Sequence, residues 1–545
     1  MLEIDPSDLV APSIQLENTA TSHKWLQYSA EAIGVYNAYD CLATALAYRG
    51  LQPLLDRAGN RAYYNRWFSR VVPAALNIQR RGFGHLDRGR LAAYKEKLNK
   101  DLEELDGGLL ARAVHLGSLV EAAEEWRRND AALDLEVARA KNAAKKNPFP
   151  ESEVVGTRGK RREIGFRARV KEAEEARRTF LNSRGETGQL AKWLFDTIGF
   201  KAAPKTDKRP ARSTAQSALM HIYTHLRKLD EPNKWILEDL FHRSRLSTIR
   251  SRYLNFETGP DNRVYPRIRL YTAETLRWAY SDPPLHQWPD EIRHLIVARP
   301  GYVFVRGDYS QCEARIMAYL AGEKKDIEAF SDKTRDVHAE TAQDIFGISP
   351  THWAAMDPTL RKKHRDYAKK KRFEIGYGAS EKGAGVQQLF CPCPRCADKV
   401  PQFLQLTPAQ NKLVMQRWSS TRATTMRWRD QLFESVIANG RRFQSRWGFT
   451  RQFCAPARES RNSIWNCPMQ SGASEIANEA ITLLDQMGAP VVQQMHDDIK
   501  LEVLEREAPL WEQQLREVME RPIAELNGVR FPVDIHTGHD WGELR

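Results

Sequence analysis

The sequence predicts an α+β protein in which helices outnumber strands. Three observations lead there. Apolar residues recur at helical spacing in long charged segments, as in LAAYKEKLNKDLEEL at 91–105. Two short apolar runs, 491–495 and 499–503, flank an acidic pair in the manner of a β-hairpin. A third apolar run, 302–305, reads as a strand and leads to a further acid, Asp308.

Taken in order, 29–55 is Ala-rich with helical spacing but too short to bury a core alone. An amphipathic helical pattern follows from about 68 to 129. Charge is dense between 141 and 178, which reads either as a solvated helical arm or as a surface that touches phosphate. GQLAKWLFDTIGF (188–200) is a short amphipathic helix, and the basic loop after it ends at Ser213, a good helix N-cap. From 263 the pattern turns to strands and turns, then to a βαβ-like stretch, GYVFVRGDYSQCEARIMAYLAGE. Residues 359–378 form a strongly basic helix, 391–396 a Cys/Pro knot, and 408–440 further helix. A helix at 472–487, the hairpin at 490–503, another helix and a final strand-like FPVDIHTGHDW complete the chain.

At 545 residues the chain corresponds to about three to four domain-sized units. Lys and Arg number 83 against 70 Asp and Glu, a net charge of +13, which suggests a polyanionic partner. Hydrophobic residues at 41% and 14 Trp exclude a wholly disordered chain. No apolar run approaches the roughly 18 residues of a membrane span, and MLEIDPSDLV lacks the pattern of a secretory signal. Seven cysteines in this length point to a reducing compartment. The expectation is a cytoplasmic monomer with no membrane association.

Two acidic sites carry the chemistry. Asp308 ends one strand candidate, and Asp497 with Asp498 occupies the hairpin turn. Acids in turns are commonly just solvated. Brought together on one sheet edge, however, such carboxylates repel unless a cation sits between them. Magnesium does this with one or two carboxylates plus substrate phosphates and water. On the basic helix, Arg365, Lys369, Phe373 and Tyr377 recur at steps of four and share one drifting face. Two cations suit a triphosphate and two rings suit stacking on a base, although a basic amphipathic helix is more often only solvated.

These segments resemble DNA polymerases of family A, the bacterial DNA polymerase I type. DYSQCEARIMAYLAGE (308–323) resembles their motif A, RDYAKKKRFEIGYG (365–378) motif B, and QMHDDIKLEV (494–503) motif C, in that order. RWAYSDPPLHQWP (277–289), DVHAETAQDIFG (336–347), NCPMQSGASEI (466–476) and the terminal GHDWGEL resemble intervening family segments. The resemblance covers about 65–545 and implies a right-hand fold: an antiparallel-sheet palm (259–320 and 460–545), helical fingers (321–459) and a helical thumb (66–258). Residues 1–65 resemble the C-terminal end of an exonuclease-like domain.

The resemblance implies DNA-templated extension of a primer with deoxynucleoside triphosphates. Asp308 and Asp497 would hold two Mg2+ ions, for which Mn2+ can substitute, with the Tyr309 carbonyl assisting and Asp498 beside them as a catalytic acid. Arg365, Lys369 and His338 would grip the triphosphate, with Gln311 also at the nucleotide. Phe373 and Tyr377 would stack on the nascent pair, and Glu313 would crowd the sugar 2′ position. Arg277, Gln470 and His496 would read the primer–template minor groove, and Lys205, Lys208 and Arg250 are candidate phosphate contacts. Departures from the family pattern are Cys312 for an aliphatic, Glu374 for Gly, Asp498 for Glu, Leu276 for Gly, and Asn462 beside Arg461 where an Arg stands at that spacing. Phe373 in place of Tyr implies discrimination against dideoxynucleotides.

Tyr36 and Asp40 have the Tyr-x-x-x-Asp spacing of a final exonuclease motif, but no room precedes them for its partner acids. No proofreading by this chain is expected, which leaves a separate exonuclease or processivity factor as a candidate partner. Cys391, Cys393 and Cys396 offer three thiolates where structural zinc takes four ligands, so a Pro-bound turn of free cysteines is preferred over a zinc site. Two rival readings are a single-subunit RNA polymerase, against which Glu313 and Phe373 argue, and a catalytically silent DNA-binding scaffold, against which the intact Asp308/Asp497 pair argues.

Overall fold

A computed structural model of the chain describes residues 30–115, 189–202, parts of 212–223, 233–378 apart from 271 and 333, and 408–544. The Ala-rich stretch forms α1 (Ala30–Arg57), close to the expected limits. In α2 (Arg61–Arg81), Trp67, Val71, Ala74 and Ile78 are buried along one face at spacings of three and four. Gly82, in a left-handed conformation at φ 69°, ends it; a Cβ there would lie 2.9 Å from the Val264 carbonyl. The expected helical pattern at 68–129 is therefore interrupted. After Gly82 the chain forms β1 (Phe83–Leu86) before α3 (Arg88–His115). The strand is stabilised by pairing to partners about 180 and 210 residues away, which local periodicity does not register.

Beyond α3, α4 (Gln189–Lys192) runs into a π-helical turn, Trp193–Thr197, and α5 (Lys234–Thr248) into another, Ile249–Tyr253. Leu109, Trp193, Leu194, Leu237 and Phe241 form a satellite core among these helices. Ser213 Oγ accepts from the Ala215 amide at 3.2 Å. Arg250 is exposed, with Asn99 Oδ1 3.5 Å from one guanidinium nitrogen. Residues 141–178, Lys205, Lys208 and the Cys391, Cys393 and Cys396 knot lie outside the described residues, and so do the side chains of Tyr36 and Asp40 in α1.

Short strands follow: β2 (Arg263–Val264), β3 (Arg267–Arg269), β4 (Ala279–Ser281) and β5 (Ile296–Val297). They make a β2-β1-β5 sheet and a β3-β4 ribbon. The long strand β6 (Tyr302–Tyr309) leads into a helical block: α6 (Cys312–Ala321), α7 (Lys324–Ser331), α8 (Val337–Phe346), α9 (Pro350–Ala355), α10 (Pro358–Gly376), α11 (Pro408–Thr421) and α12 (Ala423–Ala438). Asp336 caps α8 by accepting from the His338 and Ala339 amides, and Asp357 caps α10 from Leu360. After the ribbon β7 (Arg442–Gln444) and β8 (Thr450–Gln452) comes α13 (Ala457–Gln486). It starts well before the expected residue 472 and carries Pro468 inside it.

The last elements are β9 (Val491–Met495), β10 (Asp498–Leu504), α14 (Ala508–Met519) and β11 (Val533–Gly538). The central sheet has the order β11-β6-β10-β9 with every pair antiparallel. The βαβ-like expectation for 301–323 is corrected accordingly: β6 enters no parallel pairing. Gly307 faces α14, and a Cβ there would lie 2.6 Å from Met519 Sδ and 3.1 Å from Leu515, so the missing side chain lets α14 sit close to β6. The main core runs from this interface through α2, α6 and α13.

Candidate active site

The two acidic segments meet because β6 and β10 are neighbours. Asp308 and Asp498 are cross-strand partners, and the Tyr309 amide donates to the Asp497 carbonyl at 3.1 Å. The tight turn is His496–Asp497 rather than Asp497–Asp498, since Asp498 already pairs with Met495. His496 takes the left-handed conformation the turn requires, at φ 58°. Burial pushes the Asp497 carboxyl up to about 7, and the nearby Asp308 and Asp498 charges push the same way. Burial also raises Asp308, with Arg306 opposing and Asp498 adding to the rise.

Asp498 is buried, and both its oxygens are engaged. Arg306 Nε reaches Oδ2 at 3.1 Å, and the Lys500 ammonium holds Oδ1. Asp497, in contrast, has no ion-pair partner among the described residues. Tyr309 is buried, its hydroxyl donating to the Met519 carbonyl at 2.9 Å. Among the described residues no three His, Cys, Asp or Glu side chains close into a cage for an ion. The carboxylate edge instead suits a magnesium-type ion whose coordination is completed by phosphate oxygens and water.

Gln311 stands at the N-cap of α6 in the left-handed conformation, which swings the helix away from β6 directly after Tyr309. Cys312 is buried in the core as a small hydrophobe. Glu313 in the first turn pairs with Arg277. Burial, with Asp497 adding, pushes the Glu313 carboxyl up to about 8. Arg277 follows Leu276, whose φ of 65° explains why a Gly would suit that position. The His496 imidazole at the turn is pulled below its ordinary value by desolvation first and Arg277 second. Gln470 is half-buried on α13.

The α10 stripe faces the same place. Glu313, Ala314 and Met317 of α6, Phe373, Gly376 and Tyr377 of the stripe end, and Met469 of α13 line one small cleft. The Phe373 and Tyr377 rings lie 6.2 Å apart, centroid to centroid. Further along, Lys369 is exposed and Arg365 Nε contacts Asp336 Oδ2 at 2.5 Å. His338 is buried beneath these cations; burial, then Arg372, Arg365 and Lys369, hold its imidazole down at about 3, so it is neutral. Glu374 pairs with Lys371 at 2.7 Å and Lys370 at 3.6 Å along its own helix. Asn462 Oδ1 lies where a Cβ on Gly378 would clash, and Arg461 pairs instead with Asp430.

Sequence reading missed three groups here: Arg306, Lys500 and the buried Asp326, Arg372 and Arg422 of the helical block. A signal for the first two exists. Each stands two residues from an acid in a strand, and so on the same face of the sheet. The third group is invisible locally, because its members come from α7, α10 and the residue before α12.

The sheet, its carboxylate edge and the helical block over it define the class of protein as an α+β right-hand polymerase fold. Residues 161–543 match the sequence pattern of DNA polymerase family A, and the chain belongs to that family. The thermostable DNA polymerase I of Thermus aquaticus is 28% identical over 391 residues, 66% of this chain and 41% of its own length. DNA polymerase I of Chloroflexus aurantiacus is 28% identical over 332 residues, 57% of this chain and 32% of its own. The chain thus spans about two fifths or less of these curated relatives. A solved structure, the POL domain of Pol1 from M. smegmatis in complex with DNA primer-template and dNTP, superposes with a TM-score of 0.65 at 18% identity. That match covers 96% of this chain and 78% of the other, and it shows the fold.

Proposed function

We propose that the chain is a DNA-templated DNA polymerase that extends a primer 3′ end with deoxynucleoside triphosphates. The observation that carries this reading is the convergence of two distant features. The carboxylate edge of β6 and the β9–β10 turn lies beside a cleft shared by Glu313, Phe373 and Tyr377. Asp308 and Asp497 would hold divalent ions, Mg2+ or in its place Mn2+, with the Tyr309 carbonyl alongside. When bound, such ions supply the charge that stabilises the attacking and leaving oxygens of an in-line phosphoryl displacement.

The chain's own residues do the rest. Lys369 and Arg365 take the triphosphate, Arg365 exchanging its Asp336 contact for phosphate, and neutral His338 is available as a hydrogen-bond donor beneath them. Phe373 and Tyr377 cover the base, Gln311 and Glu313 bound the sugar, and Glu313 excludes a 2′-hydroxyl. Arg277, Gln470 and His496 face the primer–template. We assign 259–320 and 460–545 to the palm, 321–459 to the fingers, 66–258 to the thumb and 1–65 to a preceding exonuclease-like remnant.

Primer extension on a defined template tests this directly. Template-directed incorporation of deoxynucleotides in Mg2+, restored by Mn2+ after chelation and lost in Asp308→Ala and Asp497→Ala, is the expected result. Ribonucleotide use at comparable rates would move the reading to an RNA polymerase. Tight primer–template binding without extension would make the chain a DNA-binding scaffold.

A further inference from the structure

Two rows of charge cross the central sheet on one face. The strand pairing aligns Asp534, Asp308 and Asp498 side by side on β11, β6 and β10. Two residues away along each strand, back on β6 and forward on β11 and β10, and so on the same face, it aligns His536, Arg306 and Lys500. Like charges opposite one another in a sheet are unfavourable, and Arg306 and Lys500 are direct partners. Both side chains are well buried, with 18% and 1% of their surface exposed. Their compensation comes from the acidic row.

The hydrogen bonds show how. Arg306 uses its whole fork: Nε to Asp498 Oδ2 at 3.1 Å, Nη2 to Asp308 Oδ2 at 2.6 Å and Nη1 to the Leu544 carbonyl at 3.2 Å. Lys500 holds the other oxygen of Asp498, with the Trp541 ring centroid 5.9 Å from its nitrogen. Asp498 therefore has two cations on its two oxygens and a side chain only 4% exposed. Asp308 has one oxygen tied and a side chain 31% exposed. Asp497 has no such tie. The three acids are not equivalent.

We propose that Arg306 and Lys500 are positioning residues which take Asp498 out of the ion-binding set, and that Arg306 competes with a divalent cation for Asp308. The inference rests on the proposed reading that Asp308 and Asp497 hold such ions. In the ion-free protein the two cations keep the carboxylates together that would otherwise repel. When a divalent ion takes Asp308, Arg306 keeps its bonds to Asp498 and Leu544. Asp498 acts through Arg306 and touches neither ion nor substrate.

Direct binding of Mn2+ to the full chain without DNA, followed by the electron paramagnetic resonance of free Mn2+, tests this apart from activity. Asp308→Ala should lose bound Mn2+; unchanged binding there overturns the ion site and the competition together. Arg306→Met and Arg306→Gln, checked by circular dichroism, should bind Mn2+ about tenfold tighter than the parent, and the melting temperature should rise more on adding Mn2+ than it does for the parent. Equal or weaker binding in both, with loss in Asp308→Ala, overturns the competition and leaves the site reading standing. Asp498→Asn, nearly isosteric, tests the other half. Its Mn2+ stoichiometry should be unchanged, with affinity lowered less than about tenfold because Arg306 turns to Asp308. Loss of an equivalent of Mn2+ in that variant would make Asp498 a ligand and end the proposal.

Discussion

Replacing Asp326 by Asn should be among the most damaging single changes in the molecule, although it lies outside the carboxylate edge. Asp326 on α7 is 2% exposed and accepts from two arginines at once: Arg372 of α10 at 2.5 Å and Arg422 at 3.3 Å. Their side chains are 0% and 1% exposed. Burial has already pulled Arg372 down to about 10, against the pull of Asp326. Asn keeps the shape and removes the charge, leaving two buried guanidinium groups with one carboxylate, Asp344, 3.1 Å from Arg422. Breaking a buried pair in this way costs about 3–5 kcal/mol, and the Asp344 contact argues for the lower end.

Urea unfolding suits the measurement because urea leaves ion pairs unscreened. Tryptophan emission follows the unfolding of the whole chain with its 14 Trp, among them Trp418, whose ring centroid lies 5.7 Å from the Arg422 guanidinium. The loosened network should also let α10 shift, so KM for deoxynucleotides should rise more than kcat falls, because Arg365, Lys369 and Phe373 ride on that helix. A loss below about 1 kcal/mol would refute the reasoning, since it would mean the arginines find water or other partners.

Three further outcomes are expected. Burial pushes Glu475 on α13 up to about 7 from 4.5, so the folded state retains a proton that the unfolded chain releases. The stability this contributes is present below about pH 4.5 and lost as pH rises through about 7. Glu475→Gln should therefore exceed the parent by up to about 2–3 kcal/mol at pH 8, the gap closing toward pH 5 in thermal melts; a gap independent of pH would contradict this. Gly307→Ala should cost about 1–3 kcal/mol by pressing on Met519 and Leu515, and in a double-mutant cycle with Met519→Ala the two losses should sum to less than their separate values. Glu313→Ala should raise ribonucleotide incorporation by about tenfold or more in single-nucleotide extension, with deoxynucleotide use retained.

Much of the site was legible as spacing. The Arg365, Lys369, Phe373 and Tyr377 stripe survives as one face because helical periodicity is a local property of the chain. The strand leading to Asp308 and the hairpin around Asp497 were likewise set by short apolar runs. Resemblance added what spacing could not, the order of motifs and hence the fold. The misplaced turn had a local cause. Two adjacent acids read as the turn pair, whereas strand register made His496–Asp497 the turn and gave Asp498 to the ladder.

What tertiary structure alone decided is which charges face which. Arg306 and Lys500 look like ordinary strand residues until β6 and β10 pair and set them opposite one another beneath the acids. β1 reads as part of a helix until β2 and β5 offer it partners. Asp326 becomes a keystone only where α7, α10 and Arg422 meet out of water. Periodicity and composition determine where most helices and the longer strands fall and which face is apolar, because those depend on near neighbours; β1 is the exception, made by its distant partners. Cross-strand register, burial and the pairing of distant charges depend on contacts between segments far apart in the chain, and only the folded structure supplies them.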